Sequence, residues 1–97
     1  MWYLFYTKQA LKDKDSLIAA GLGEKGKTLI EILKKDPFVT PPRFEKLVGV
    51  LSGANSRRIN IQHRLIYMVI PHTDKEPAPD GKHYEGFIKI LRMYEHY

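Results

Sequence analysis

Hydrophobic positions in the first third of the chain recur at helical spacing after a short apolar start. Residues 2–6 are an aromatic and aliphatic run that predicts an opening β-strand. Two helices are then predicted, each with small or apolar residues on one face: Ala10, Leu11, Leu17 and Ile18 in the first, and Leu22, Gly26, Leu29, Ile30 and Leu33 in the second. Pro37 cannot continue the second helix and closes the helical part.

Beyond this helical part, the pattern changes to one typical of β-strands. Strands are predicted at residues 46–52, 57–61, 64–70 and 86–97, with a turn at 53–56 and a tight connection near Gln62. Apolar residues alternate in residues 64–70, which indicates a strand with two distinct faces. We therefore expect one α+β domain over residues 1–97, with the N-terminal strand and two helices packed on one face of a largely antiparallel four- to five-stranded sheet. The other face is then open for function.

Residues 71–85, between the last two predicted strands, are not predicted to form a helix or a strand. The segment carries three of the six prolines and has no aliphatic residue larger than alanine. Hairpin connections are usually a few residues long, so a long, mobile loop that is either functional or disordered is predicted here.

Residues 21–28, GLGEKGKT, match the written form of a phosphate-binding P-loop. A P-loop needs a strand in front of it, because the strand delivers the glycine-rich turn to the phosphates. A helix is predicted there instead, so Gly21 is interpreted as the glycine that ends this helix, with Lys27 and Thr28 exposed on the next one. The sequence therefore argues against a nucleotide site.

Charge is distributed unevenly along the chain. Of a net charge of +5, residues 43–67 hold +4, with five cations against Glu45 alone. Four of these cations are arginines, whose planar guanidinium groups suit phosphate, so a polyanion such as nucleic acid is the predicted partner. A solvated basic surface is the alternative. The absence of cysteine excludes disulfides and thiolate sites, and together with the lack of a signal peptide or membrane span it leads us to expect a cytoplasmic protein.

The candidate chemistry depends on Glu, Arg and His, without metal or cofactor. The four histidines lack the close spacing of metal ligands, and no serine lies in a nucleophile motif. Cleavage of RNA through its own 2′-hydroxyl needs a base, a cation for the charge on phosphorus and an acid for the 5′ oxygen. Glu45, Arg64 and His96 could supply them. Alternatively Glu45 neutralises its neighbours, Arg64 borders a core and His96 lies in a chain end that frays, although the aromatic residues Tyr94 and Tyr97 beside it indicate a docked end.

Two motifs then make a family resemblance specific. PPRFEKLVGVLSGANSRRINIQHRLIYMV and the terminal RMYEHY closely resemble the Txe/YoeB toxins of the RelE superfamily, and the match covers nearly the whole chain except residues 71–85. The resemblance implies a RelE-like, microbial-RNase-like fold and a ribosome-dependent mRNA endoribonuclease acting in the A site. It implies a YefM/Axe-type antitoxin as partner, and leaves a homodimer or a toxin–antitoxin heterotrimer open.

Carried over to this chain, the resemblance implies Glu45 as general base, Arg64 as transition-state cation and His96 as general acid, with Tyr97 completing the site. The RNA backbone is expected to be contacted by Arg43, Lys46, Arg57 and Arg58.

Two features depart from the family pattern. Val48 stands where the YoeB branch has lysine, for which Lys46 could substitute, and the proline-bearing segment 71–85 is longer than the family's last hairpin connection. Two other functions stay open: a non-catalytic RNA- or ribosome-binding module, and a domain whose basic face binds only an acidic protein such as the antitoxin.

Overall fold

The computed structural model describes residues 1–41, 43–71 and 78–96, and for His96 it describes the backbone. The elements are, in order, β1 (Tyr3–Tyr6), α1 (Lys8–Ala19), α2 (Gly23–Lys35), β2 (Phe44–Lys46), a 3₁₀ turn (Gly49–Leu51), β3 (Ala54–Arg58), β4 (His63–Pro71) and β5 (Gly86–His96). They form a five-stranded sheet in the order β1-β5-β4-β3-β2. β1 pairs with β5 in parallel and the other neighbours are antiparallel. The predicted fold class is confirmed.

The core lies between the two helices and one face of the sheet. Its central members are buried side chains from α1, α2, β4 and β5: Ala10, Leu17, Leu29, Ile30, Leu33, Leu65, Tyr67, Ile88, Ile90 and Met93. Burial of these apolar side chains is the main favourable contribution to folding.

The local sequence explains how the two helices begin and end. The Thr7 hydroxyl accepts the Ala10 N–H at 3.0 Å and so caps α1. The chain leaves α1 through Gly21, whose φ of 79° is a conformation that glycine adopts without strain. Gly26 then lies inside α2, where an added Cβ would come within 2.6 Å of the Leu17 side chain. The glycines of the P-loop pattern therefore end α1 and allow α2 to pack against α1. Lys27 and Thr28 are exposed on α2, as the sequence predicted.

The strands predicted at residues 46–52 and 57–61 have other boundaries in the structure, where β2 is Phe44–Lys46 and β3 is Ala54–Arg58. The strand expected at residues 46–52 is wrong beyond Lys46, because this segment is an exposed connection containing a 3₁₀ turn. The turn expected at residues 53–56 is also wrong, since Ala54 already begins β3. Gly49 and Gly53 have φ values of 75° and 95°, which interrupt an extended strand on both sides of the 3₁₀ turn.

The long connection before β5 begins after Pro71, where β4 ends. Residues 72–77 of the predicted loop lie outside the described residues. The described part is a turn in which the Ala78 N–H donates to the Lys82 carbonyl at 2.9 Å, and the Glu85 N–H then donates to the Met1 carbonyl at 3.1 Å. This half of the segment is therefore attached to the start of the sheet.

Candidate functional site

Strand alternation sorts the side chains of β2, β3 and β4 into two sets. Leu65 and Tyr67 point to the core between helices and sheet, so Arg64 and Ile66 belong to the opposite face. Ser56 pairs with Ile66 and Glu45 pairs with Ser56, and paired residues of neighbouring strands lie on the same face of the sheet. A carboxylate, a hydroxyl and a guanidinium thus come together on the face that the helices leave uncovered.

Arg64 and Glu45 form an ion pair on this face. The Arg64 Nη1 lies 3.4 Å from Glu45 Oε2 and 3.1 Å from the Ser56 hydroxyl oxygen. The Arg64 side chain is 7% exposed, whereas that of Glu45 is 43% exposed. The guanidinium is therefore fixed in the wall of the site, and the carboxylate is open to a ligand.

A cavity of about 330 Å³ surrounds this pair. Its lining residues are Arg43, Glu45, Ser56, Arg58 and Arg64. Arg43 and Arg58 are exposed at its border. Three guanidinium groups against one carboxylate give the cavity an excess of positive charge, and guanidinium groups bind phosphate oxygens in a planar, bidentate manner.

The predicted acid lies at the end of β5 that borders this site. In the antiparallel register Glu95 is opposite Arg64, and His96 is opposite His63. The backbone of His96 is therefore one residue pair away from Arg64. Tyr97, the fourth residue expected in the site, lies outside the described residues.

Arg57 requires a correction, because its side chain is fully buried on the helix side of the sheet. Its Nε donates to the Tyr67 hydroxyl and its Nη2 to the Pro37 carbonyl, both at 2.9 Å, and its guanidinium lies 4.9 Å from the centre of the Phe44 ring. Burial raises the pKa of Tyr67, although Arg57 acts in the opposite direction, so Tyr67 remains a phenol that donates to the same carbonyl. Adjacent strand residues face opposite sides, so of the two arginines Arg58 lines the cavity and Arg57 does not, and this arrangement does not support an RNA contact by Arg57.

Lys46 also lies away from the cavity. It is exposed at the end of β2, and strand alternation puts it on the face opposite to Glu45. Val48, which follows two residues later, is 87% exposed in the connection to β3. An RNA contact by Lys46 therefore remains a prediction that this cavity does not support.

Two residues of this region were not singled out from the sequence. Ser56 orients Arg64, and the only sequence signal for it was its place before the two arginines of the SRR motif. His63 is 6% exposed and stacks on Tyr94, with ring centres 4.0 Å apart and planes 7° apart. In the sequence it is one of four histidines whose spacing does not suit metal ligands. Its position directly before Arg64 was the available signal.

Among the residues that the structure describes, no group of three or more potential ligands lies close enough together to hold a metal ion. None of the helices in the described part of the chain has the length and apolar character needed to cross a membrane.

A mostly antiparallel five-stranded sheet with two helices on one face puts the chain in the class of small α+β proteins with RelE-, YoeB- and YafQ-like folds, here with a basic cavity on the other face. The family model described as "YoeB-like toxin of bacterial type II toxin-antitoxin system" matches residues 6–97. The chain belongs to this family of YoeB-like toxins, which confirms the resemblance seen in the sequence.

Solved structures agree with this assignment. A YoeB/ParE toxin from Agrobacterium tumefaciens is 26% identical with a TM-score of 0.74, and the match covers 98% of this chain and 99% of that one. YoeB in a heterotetrameric YoeB-YefM complex from Staphylococcus aureus is 25% identical with a TM-score of 0.71, covering 100% and 99%. YoeB from a Staphylococcus aureus dimer is 24% identical with a TM-score of 0.68, covering 99% and 98%, which supports the fold alone. A comparison with curated protein sequences gives no match.

Proposed function

We propose that this toxin is a ribosome-dependent mRNA endoribonuclease whose site is the cavity around Glu45 and Arg64. The observation that carries the proposal is the ion pair itself: an accessible carboxylate lies 3.4 Å from a buried guanidinium, inside a cavity bordered by two further arginines. A base and a cation within reach of one phosphodiester are two of the three groups that metal-free RNA cleavage requires.

In the proposed reaction Glu45 takes the proton of the RNA 2′-hydroxyl, and the resulting oxygen attacks the adjacent phosphorus. Arg64 stabilises the additional negative charge on the five-coordinate phosphate, and Ser56 keeps its guanidinium in place. His96 donates a proton to the departing 5′ oxygen, a role that suits histidine because its unperturbed pKa is about 6.5. The bond from phosphorus to the 5′ oxygen breaks, which leaves a 2′,3′-cyclic phosphate and a 5′-hydroxyl.

Residues around the cavity are proposed to bind the RNA backbone and to complete the site. Arg43 and Arg58, exposed at its border, bind the RNA backbone, and Tyr97 completes the site next to His96. Lys46 contributes a more distant positive charge.

We propose an antitoxin of the YefM type as protein partner, because a YoeB that matches this chain over nearly its full length has been crystallised in a YoeB-YefM complex. A second copy of this chain is the other proposed partner, by analogy with the YoeB dimer.

The catalytic proposal is tested on purified ribosomes programmed with a defined mRNA. We expect wild type to cut the mRNA in the A site, Arg64→Ala to be slower by about 10²- to 10³-fold, and Glu45→Gln to be slower by at least about 10²-fold. Glu24→Gln, an exposed carboxamide substitution on α2, is the matched control and should cleave like wild type. A single 2′-deoxynucleotide at the cleavage position should abolish cutting.

Two results would contradict the proposal. Full activity of Glu45→Gln or Arg64→Ala would remove that residue from the mechanism, provided that thermal unfolding confirms a folded variant. Translation arrest by wild type with intact mRNA would instead support a ribosome-binding module without catalysis.

A further inference from the structure

The last residues of β5 extend beyond the strand that protects its outer edge. β1 pairs with β5 only up to Ile90, so residues 91–96 continue without β1 beside them. Strand ends near a chain terminus commonly fray. A catalytic group at His96 therefore needs contacts that hold this end of β5 against the sheet.

On the outer edge α1 takes over from β1. The Asp13 carboxylate accepts the backbone N–H of Met93 at 3.0 Å and the Arg92 Nε at 2.7 Å. Arg92 in turn pairs with Glu95 at 2.7 Å. These contacts hold the backbone at Met93, three residues before His96.

On the inner edge the contact comes from His63, the first residue of β4. Its backbone is paired with His96, and its imidazole lies flat against the Tyr94 ring at 4.0 Å. The imidazole therefore contacts β5 two residues before His96, from the strand residue that precedes Arg64 in β4. Stacked rings at this distance restrain motion perpendicular to their planes.

Asn60 fixes the same imidazole in its own plane. The Asn60 Oδ1 accepts the backbone N–H groups of Gln62 and His63 at 2.9 and 2.8 Å, which identifies this atom as the oxygen of the amide. His63 Nδ1 lies 3.2 Å from the same oxygen, so Nδ1 must carry a proton and donate. The ring is thus held by a hydrogen bond in one direction and by a stack in the other.

We propose that His63 is a positioning residue of the toxin: its imidazole, held between Asn60 and Tyr94, keeps the end of β5 and the backbone of His96 beside Arg64. The inference rests on the proposed endoribonuclease function. In this proposal His63 transfers no proton, and its role depends on its planar ring.

The test compares His63→Phe, which keeps a planar ring for stacking, with His63→Leu, which keeps volume and loses the stack. Two measurements are made on each variant: backbone amide hydrogen exchange of residues 94–96 in the free toxin, and single-turnover mRNA cleavage on saturating ribosomes. Exchange at Leu65 and Tyr67 in the core of β4 reports global unfolding in the same sample. Tyr94→Phe and Tyr94→Leu repeat the comparison from the other side of the stack.

We expect His63→Leu to speed exchange at residues 94–96 by at least 10-fold, with less change in β4, and to slow cleavage by at least 10-fold. His63→Phe should stay within about threefold of wild type in both measurements. Unchanged exchange at residues 94–96 in His63→Leu overturns the proposal. So does a His63→Phe variant with normal exchange and lost cleavage, because the imidazole would then act on the RNA itself. If wild type does not cleave mRNA, the proposed function fails, while the exchange measurement still decides whether His63 holds β5.

Discussion

Arg57 and Arg58 are adjacent in the chain and lie on opposite sides of β3. The buried guanidinium of Arg57 donates to Tyr67 and to the Pro37 carbonyl, so it joins β3, β4 and the segment after α2. Arg58 is exposed beside the Glu45–Arg64 cavity. The first arginine therefore contributes to stability, and the second borders the cavity at which RNA binding is proposed.

This difference predicts separate effects of the two alanine substitutions. Arg57→Ala should lower the free energy of unfolding by roughly 3 kcal/mol, because it leaves a core cavity and removes two buried hydrogen bonds. Arg58→Ala should change stability by less than about 0.5 kcal/mol and should weaken RNA binding. Urea unfolding followed by circular dichroism measures the first effect, and RNA titration the second. An Arg57→Ala variant with wild-type stability and weakened RNA binding would return Arg57 to the RNA-binding set.

The sequence could not show which of these two arginines faces the core. Strand alternation guarantees that one of two adjacent residues faces the core, but it does not say which one without the register. Glu45 and Arg64 were easier to identify from the sequence. Glu45 is the one acidic residue among the cations of residues 43–67, Arg64 opens an apolar strand, and each matches a family motif. Ser56 and His63 act through a neighbour, and such contacts appear only when the strands are paired.

At the scale of elements, α1 and β5 are joined by one buried carboxylate. Burial acts to raise the pKa of Asp13, and hydrogen bonds from Arg92, Gln9 and the Met93 N–H outweigh it, so the pKa lies below the usual 3.8. A carboxyl with a lowered folded-state pKa stabilises the fold above its unfolded-state pKa. That contribution is lost as pH falls through the folded-state value. The pH range concerned is therefore below about 4.

Asp13→Asn should accordingly cost about 2 kcal/mol at pH 7, and the difference from wild type should shrink as pH falls below 4. Asp15→Asn, an exposed position two residues later on α1, is the matched control and should follow wild type at every pH. Urea unfolding at pH 7, 5, 4 and 3 checks both variants. A constant difference between Asp13→Asn and wild type over this range would contradict the role given to the ionised carboxylate.

The helices and the two long strands were predictable because most of their apolar residues recur with a regular period, although Leu11 and Ile18 of α1 are 49% and 56% exposed. The segment after Lys46 was not, since Val48 and Val50 favour strands and are nevertheless 87% and 104% exposed. The prediction of β3 was wrong for the opposite reason, because Asn55, Ser56 and Arg57 are polar and are nevertheless buried in a strand. Such positions conflict with simple patterning, and here one of them supports the site.

For the whole molecule, the uneven charge along the sequence becomes a basic face of the sheet. Arg43, Arg58 and Arg64 come from the end of the segment before β2, from β3 and from β4, and they meet around one cavity. The helices occupy the other side of the sheet with the core. The sequence predicted the excess charge and the uncovered face, and the register of β2, β3 and β4 brings the two together.

This distribution predicts how ionic strength should affect RNA binding. Each phosphate contact releases condensed counterions, and for single strands the slope of log K against log salt changes by about 0.7 per contact. Arg43→Ala and Arg58→Ala should therefore each flatten the slope by about that amount, and the double variant by about twice as much. Lys12→Ala, an exposed cation on α1, should leave it unchanged.

The probe for these titrations is a 2′-O-methyl RNA oligonucleotide, which cannot undergo attack by its 2′-hydroxyl and so separates binding from cleavage. Fluorescence anisotropy at several salt concentrations gives the slope for each variant. Equal slopes for Arg58→Ala, Lys12→Ala and wild type would mean that RNA does not follow the basic face. The excess charge around the cavity would then be better explained by an acidic protein partner.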